Sequence, residues 1–112
     1  MKQIDAIEAF AALAQDSRMI IFRLLVRATP KALPVGQISQ KLNIVPSTLS
    51  GHLAILKRAG LLESSRHQRE IHYSANIETV NKLISFLLAD CCNGQVGNCA
   101  QILTLLDDTN RL

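Results

Sequence analysis

Two short segments with helical spacing, joined by only three residues, constrain the fold of this 112-residue chain most strongly. Apolar residues recur at helical intervals in residues 35–42 and again in residues 46–59. Pro46 suits the first position of a helix, and Gly60 is typical of the position just after a helix ends. The leucines that share one stripe of the second segment are Leu49, Leu53 and Leu56. Two helices joined so closely predict a helix-turn-helix.

Two strands are predicted directly after this unit, in residues 61–66 and 69–74. Apolar and polar side chains alternate in the second segment, which is typical of a half-buried strand. The tip between them, residues 67–68, contains no glycine or asparagine. A tight two-residue turn requires positive φ, which glycine and asparagine adopt readily. Because residues 67–68 include neither, a longer and looser tip is expected.

Helices are also predicted on both sides of this core, over residues 3–14, 17–28 and 77–90. Asp16 is the expected N-cap of the second of these helices. Residues 29–34 contain two prolines and are expected to be a connector. The residues predicted to face the interior from the second helix are Ile20, Ile21, Leu24 and Leu25. The element order predicts a mainly α fold with a small β-hairpin, a winged helix-turn-helix with flanking helices.

The length suits one domain. Residues 1–90 are predicted to form the winged helix-turn-helix DNA-binding and dimerisation domain, with residues 91–112 as a sensing tail. The apolar faces of residues 4–14 and 77–88 are broader than one small domain needs, and a homodimer would bury them.

The net charge of +3 and the pI of about 9.0 are compatible with nucleic-acid binding, but also occur in proteins that bind none. The N-terminus has no basic region followed by an apolar run, as a secretory signal would. No apolar stretch approaches the ~20 residues of a membrane span. A cytoplasmic protein without a membrane partner is therefore expected.

The helix over residues 46–59 presents small and polar side chains opposite its leucine stripe. Short hydroxyl side chains near its start can reach base edges or phosphates, and Gly51 permits close approach of the backbone. Arginines at its end and in the hairpin suit phosphates. His52 flanks the buried stripe, so packing and base contact both stay open, and an ordinary solvated helix face would show the same pattern. The residues predicted to contact double-stranded DNA are Ser47, Thr48, Ser50, Gly51, His52, Arg58, Arg66 and Arg69.

All three cysteines, Cys91, Cys92 and Cys99, fall within nine residues. Thiolates are soft ligands and select thiophilic partners. Trivalent arsenic and antimony take three thiolates in a pyramid, whereas zinc prefers four ligands and would need His72, Asp90 or water as the fourth. Three cysteines therefore favour As(III) or Sb(III) over zinc. Tail thiols without a function, or a strained disulfide between the adjacent pair, are the alternatives.

The stretch LAQDSRMIIFRLL at residues 13–25 resembles the second-helix region of the ArsR/SmtB family of metal-responsive repressors. Residues 35–74 resemble the helix-turn-helix and wing of that family, most specifically in the Ser-x-His-Leu step at residues 50–53 and the Leu-x-x-Ala-Gly-Leu run ending at Leu61. The resemblance implies a homodimer through the first and last long helices. It also implies repression at an inverted-repeat operator, with release when an inducer binds.

Members of this family sense ligands at different places. The Cys-x-Cys pair that some carry at the start of the helix-turn-helix is missing from residues 34–37, and residues 77–90 contain no histidine for a zinc site. Cysteines just after the last helix resemble those of a subgroup of arsenical-resistance repressors. The predicted function is thus a repressor released by As(III) or Sb(III), without an organic cofactor.

Three other interpretations stay open. The same repressor could respond to an organoarsenical, to cadmium, lead, zinc or copper(I), or to thiol oxidation. A thiol enzyme such as an arsenate reductase is disfavoured, because the cysteines follow a helix C-terminus and form no Cys-x-x-Cys motif. A winged helix that binds protein rather than DNA would show no salt-dependent DNA binding.

Overall fold

The computed structural model describes residues 1–89, which form five helices around a three-stranded antiparallel sheet. The mainly α winged helix-turn-helix is confirmed. Its elements are α1 Gln3–Leu13, α2 Asp16–Ala28, β1 Leu33–Pro34, α3 Val35–Leu42, α4 Pro46–Arg58, β2 Leu62–His67, β3 Glu70–Ala75 and α5 Ile77–Leu87.

The turn between α3 and α4 and the end of α4 follow the predicted pattern. Asn43 ends α3 in the left-handed region, with φ 54°. Gly60 has φ +82°, and its N–H donates to the carbonyl of Lys57 at 2.9 Å. The N–H of Leu61 reaches back to the carbonyl of Leu56 at 3.0 Å. These two bonds form a Schellman motif, which ends α4 at Arg58, one residue earlier than predicted.

The N-cap prediction for α2 is wrong by one residue. Gln15 has extended backbone and its Oε1 accepts a hydrogen bond from the N–H of Arg18 at 2.8 Å. Asp16 is instead the first helical residue, where its negative charge suits the positive end of the helix dipole. The longer glutamine side chain thus performs the capping that aspartate was expected to perform.

The predicted connector at residues 29–34 contains a short strand, which was not predicted. In β1, Leu33 pairs with Tyr73 and Pro34 pairs with His72, so that the strand order is β1-β3-β2. Pro34 has no N–H to donate, and an edge strand tolerates that loss. Pairing buries Leu33 almost fully, which explains why the chain extends here.

The prediction of a longer, looser hairpin tip is also wrong. His67 pairs with Glu70, so Gln68 and Arg69 alone form the turn. Gln68 takes the positive φ, 58°, which a non-glycine residue can adopt as a single position at modest cost. The six pairs of β2 with β3 offset that cost.

The core is aliphatic and lies between α1, α2, α4 and the sheet. From α1 it receives only small side chains, Ala6, Ala9 and Ala12. From α2 it receives Ile21 and other apolar residues, whereas Ile20, predicted to face inward, is 48% exposed. The largest fully buried side chains are Ile21, Leu25, Ile38, Leu49, Leu53, Leu56 and Leu61.

The last helix, α5, begins where Asn76 Oδ1 accepts the N–H of Thr79 at 3.3 Å. It ends at Leu87, three residues earlier than predicted, where the N–H of Leu88 bonds the carbonyl of Ile84 at 3.0 Å. Within residues 1–89 no helix is long and apolar enough to span a membrane. The predicted tail, residues 91–112, lies outside the described residues.

Candidate nucleic-acid interface

Helix α4 has one fully buried side and one exposed side. Its three stripe leucines are 0% exposed, and the helix packs against α1, α2, α3 and β2. This anchoring fixes which side faces outward. The predicted DNA contacts that are exposed on the outward side are Ser47, Thr48, Ser50, Gly51 and Arg58.

The N-terminal end of α4 lacks a side-chain cap. Val45 occupies the N-cap position and makes no capping hydrogen bond, although serine or threonine is the usual residue there. Its side chain is 65% exposed, beside the hydroxyls of Ser47 and Thr48. The sequence prediction did not include Val45 among the DNA contacts. An apolar residue directly before Pro46, where a capping side chain is usual, was the feature of the sequence that could have indicated it. An exposed methyl group here suits contact with a thymine methyl group.

The fold does not require glycine at residue 51. A Cβ atom added to Gly51 would meet nothing within 4 Å. Glycine inside a helix costs roughly 0.5–1 kcal/mol relative to alanine, so the position carries a stability cost without a packing reason. What Gly51 provides is open space against the exposed side of α4, which a second molecule could occupy.

The wing adds two cations. Arg66 and Arg69 are both exposed, and Arg66 Nε donates to the carbonyl of Gln68 at 3.3 Å, which holds the guanidinium beside the turn. Arg69 lies in the turn and lines an open cavity with Pro34, Val35 and other residues at the start of α3. The positive charges of the wing therefore lie at its tip.

A polar face on the wing was not predicted. Alternation along β2 and β3 brings Ser65, His67, Glu70 and His72 to one side of the hairpin. The imidazole centroids of His67 and His72 are 4.3 Å apart at an interplanar angle of 41°. His72 Nε2 lies 3.2 Å from Glu70 Oε2, and His67 Nε2 lies 3.1 Å from Ser65 Oγ. The alternation was visible in the sequence, but the strand register that brings the two rings together was not.

Comparison with known proteins agrees with this architecture. Residues 13–65 match the family model of a helix-turn-helix domain. The HTH-type transcriptional regulator YbzH of Bacillus subtilis is 33% identical over 96 residues, which cover 75% of this chain and 96% of that protein. This chain belongs to the ArsR/SmtB family of transcriptional regulators. It is a DNA-binding regulator by family and not an enzyme.

Other relatives of this ArsR-family protein cover most of the described chain. The transcriptional activator HlyU of Vibrio cholerae is 30% identical over 82 residues, or 73% of each chain. The structure of reduced HlyU superposes with a TM-score of 0.59, covering 80% of this chain and 90% of that one. An ArsR-like regulator from Rhodococcus superposes with a TM-score of 0.68 at 24% identity, covering 91% and 92%, which shows the shared fold.

His52 is the one predicted DNA contact in α4 that is half-buried. Its Nδ1 atom is buried and has no hydrogen-bond partner among the described residues. That edge of the ring lies against the protein, which favours the packing role for it.

The predicted inducer ligands, Cys91, Cys92 and Cys99, lie outside the described residues of this ArsR-family chain. Within residues 1–89, no group of three or more histidine, cysteine or acidic side chains is placed to hold a metal ion.

Proposed function

We propose that this chain is a homodimeric, DNA-binding transcriptional repressor that leaves its operator when As(III) or Sb(III) binds to Cys91, Cys92 and Cys99. The observation that carries the DNA-binding part is the outward side of α4. That side is exposed, rich in small hydroxyl side chains and flanked by an arginine-bearing wing, while the opposite side is anchored by fully buried leucines.

In this proposal α4 is the recognition helix and lies in the major groove with its N-terminal residues nearest the bases. Ser47, Thr48 and Ser50 hydrogen-bond base edges or phosphates, and Gly51 lets the backbone approach closely. The arginines at the end of α4 and on the wing contact phosphates, which makes binding depend on salt concentration.

The exposed apolar residues of α1 and α5 support a homodimer. On α1, Ile4 is 70% exposed, Ile7 57% and Phe10 39%, and on α5 Leu87 is 60% exposed. A dimer that buries them would have two-fold symmetry. Two recognition helices related in this way would read an inverted repeat whose half-sites are one helical turn, ~34–36 Å, apart.

The chemistry of the three thiols supports the inducer. Three soft donors complete the pyramidal coordination of As(III) or Sb(III), whereas a closed zinc site needs a fourth ligand. Cys91 follows the last residue of α5, Leu87, by four positions. A ligand drawn in by these thiols would therefore act next to a helix of the proposed dimer and could change the separation of the recognition helices.

The test is fluorescence anisotropy of the reduced protein on a duplex from its own promoter, with arsenite as the titrant. A phosphine reductant is used, because a thiol reductant would itself bind arsenite. We expect arsenite to release the DNA, and alanine at Cys91, Cys92 or Cys99 to abolish release. Asn98→Ala, a matched change in the same tail, should leave release intact.

DNA binding that no arsenite concentration reverses would overturn the inducer and keep the DNA-binding function. Parallel titrations with zinc, cadmium, lead, copper(I), peroxide and a monosubstituted organoarsenical then identify the signal. The organoarsenical needs only two thiols, so Cys99→Ala should lose the arsenite response and keep that one. No salt-dependent binding to any duplex would overturn the DNA-binding proposal itself.

The direction of regulation needs its own test, because the relative HlyU is named an activator. A reporter driven by the chain's own promoter should be silent when the protein is present and active when it is deleted or when arsenite is added. A reporter that falls silent on deletion would show activation instead.

A further inference from the structure

We propose that His67 and His72, together with Arg69, form a proton-dependent binding site for a DNA backbone phosphate on the wing. The inference rests on the proposed DNA-binding function and adds two residues to it. It also adds a property that arginine alone cannot supply, since histidine is the side chain whose charge changes near neutral pH.

The register of the hairpin places the two imidazoles side by side. His67 is opposite Glu70, and Ser65 is opposite His72, so the two histidines are diagonal neighbours on one face. Their ring centroids are 4.3 Å apart. The two histidines and Arg69 line one open cavity at the wing tip, with Gln68 and Glu70.

The charge of this cavity depends on protons. With both imidazoles neutral, the charged residues that line the cavity are Arg69 and Glu70, one of each sign, so the cavity has little net attraction for a phosphate. Protonation adds two positive charges to the same face.

A phosphate in the cavity attracts the protonated form of both rings, because their centroids are only 4.3 Å apart. DNA binding and protonation therefore favour each other, and binding takes up protons. By linkage, a complex that holds more protons than the free protein gains affinity as the pH falls.

The described elements around the wing leave the two rings without a charged partner other than Glu70. The strand β1 carries no titratable residue. Among the described residues, Glu70 is the only charged side chain that forms an ion pair or hydrogen bond with either ring. The charged or titratable residues of the surrounding elements that make no such contact are Asp16, Arg18, Arg23, Arg27, Lys41, His52, Lys57, Arg58, Glu63, Arg66, Arg69 and Tyr73.

The test measures affinity for a promoter duplex by anisotropy between about pH 6 and pH 7 at constant ionic strength, below the range in which thiols and the terminal amine titrate. We expect wild-type affinity to rise toward low pH, by up to about tenfold per pH unit for each proton taken up. The double variant His67→Gln/His72→Gln should show a nearly flat profile. His52→Gln, which removes the remaining histidine, should keep the wild-type slope whatever its effect on affinity.

A second variant, His67→Lys/His72→Lys, carries permanent charges. It should bind near pH 7 more tightly than the wild type does at that pH, without a slope. A flat wild-type profile, or a slope that survives in the glutamine double variant, overturns the inference while DNA binding stands. Absence of DNA binding at every pH overturns the proposed function instead. Inorganic phosphate should weaken wild-type binding more at pH 6 than it weakens binding of the glutamine variant, if the site takes a phosphate.

Discussion

Replacement of Arg18 by methionine is expected to loosen the junction between α1 and α2. The guanidinium Nε of Arg18 donates to the carbonyl of Ala12 at 2.6 Å, and Nη2 donates to the carbonyl of Ala11 at 3.4 Å. Both carbonyls belong to the last turn of α1, where a helix leaves carbonyl groups without a regular helical partner. That of Ala11 also accepts the N–H of Ala14 at 3.2 Å. A cation at that end also suits the negative end of the helix dipole.

The magnitude follows from these two contacts. A hydrogen bond with a charged partner contributes about 1.5–3 kcal/mol, and the first contact is short and part-buried. The second is long and exposed, so it adds little. Methionine keeps most of the apolar stem of Arg18. We therefore expect the free energy of unfolding to fall by about 2 kcal/mol, a large part of the total of about 5–15 kcal/mol that is typical of a small domain.

The assay is urea unfolding followed by circular dichroism, at one protein concentration because dimerisation would raise the apparent stability. Arg23→Met is the matched control, since Arg23 is an exposed arginine of the same helix that forms no hydrogen bond or ion pair with the described residues. It should change the free energy of unfolding by less than about 0.5 kcal/mol. Equal losses in both variants, or no loss in Arg18→Met, would refute the reasoning.

Three further substitutions separate stability from DNA binding. In Gly60→Ala the new Cβ has room, since only Thr79 Oγ1 lies near it, at 3.8 Å, but alanine is strained at a backbone φ of +82°. Thermal unfolding should show a loss of about 1–2 kcal/mol, and an unchanged melting temperature would contradict it. Gly51→Ala should raise the free energy of unfolding by about 0.5–1 kcal/mol. It should also weaken operator binding, because the added methyl group stands between α4 and the DNA; tighter binding would show that α4 does not approach DNA closely there. Arg69→Gln should reduce the slope of log affinity against log salt by about one phosphate contact, and an unchanged slope would remove Arg69 from the interface.

The helix-turn-helix could be predicted closely because its signals are local. Pro46 and Gly60 mark the ends of α4 through backbone preferences that need no knowledge of distant residues. The strand β1 gave no such signal. Two residues cannot show a period, and Leu33 is extended only because Tyr73, forty positions later, pairs with it.

The outward side of α4 could likewise be predicted, because it follows from the position of the leucines on a helical wheel. The pair formed by His67 and His72 could not. Which side chains become neighbours across a hairpin depends on the register, and the predicted tip was one residue out of place. The burial of Ile20 was misjudged for a related reason, since α2 has apolar residues on more than one side and only packing decides which side faces the core.

The short strand β1 has a mechanical consequence. Pro34 is at once the partner of His72 in the sheet and the N-cap residue of α3. No hinge separates the wing from the first helix of the helix-turn-helix, so a tilt of one carries the other with it. The wing and the helix-turn-helix should therefore bind and leave DNA as a single rigid body. Any hinge that moves this body must lie elsewhere, among the other helices that pack against it.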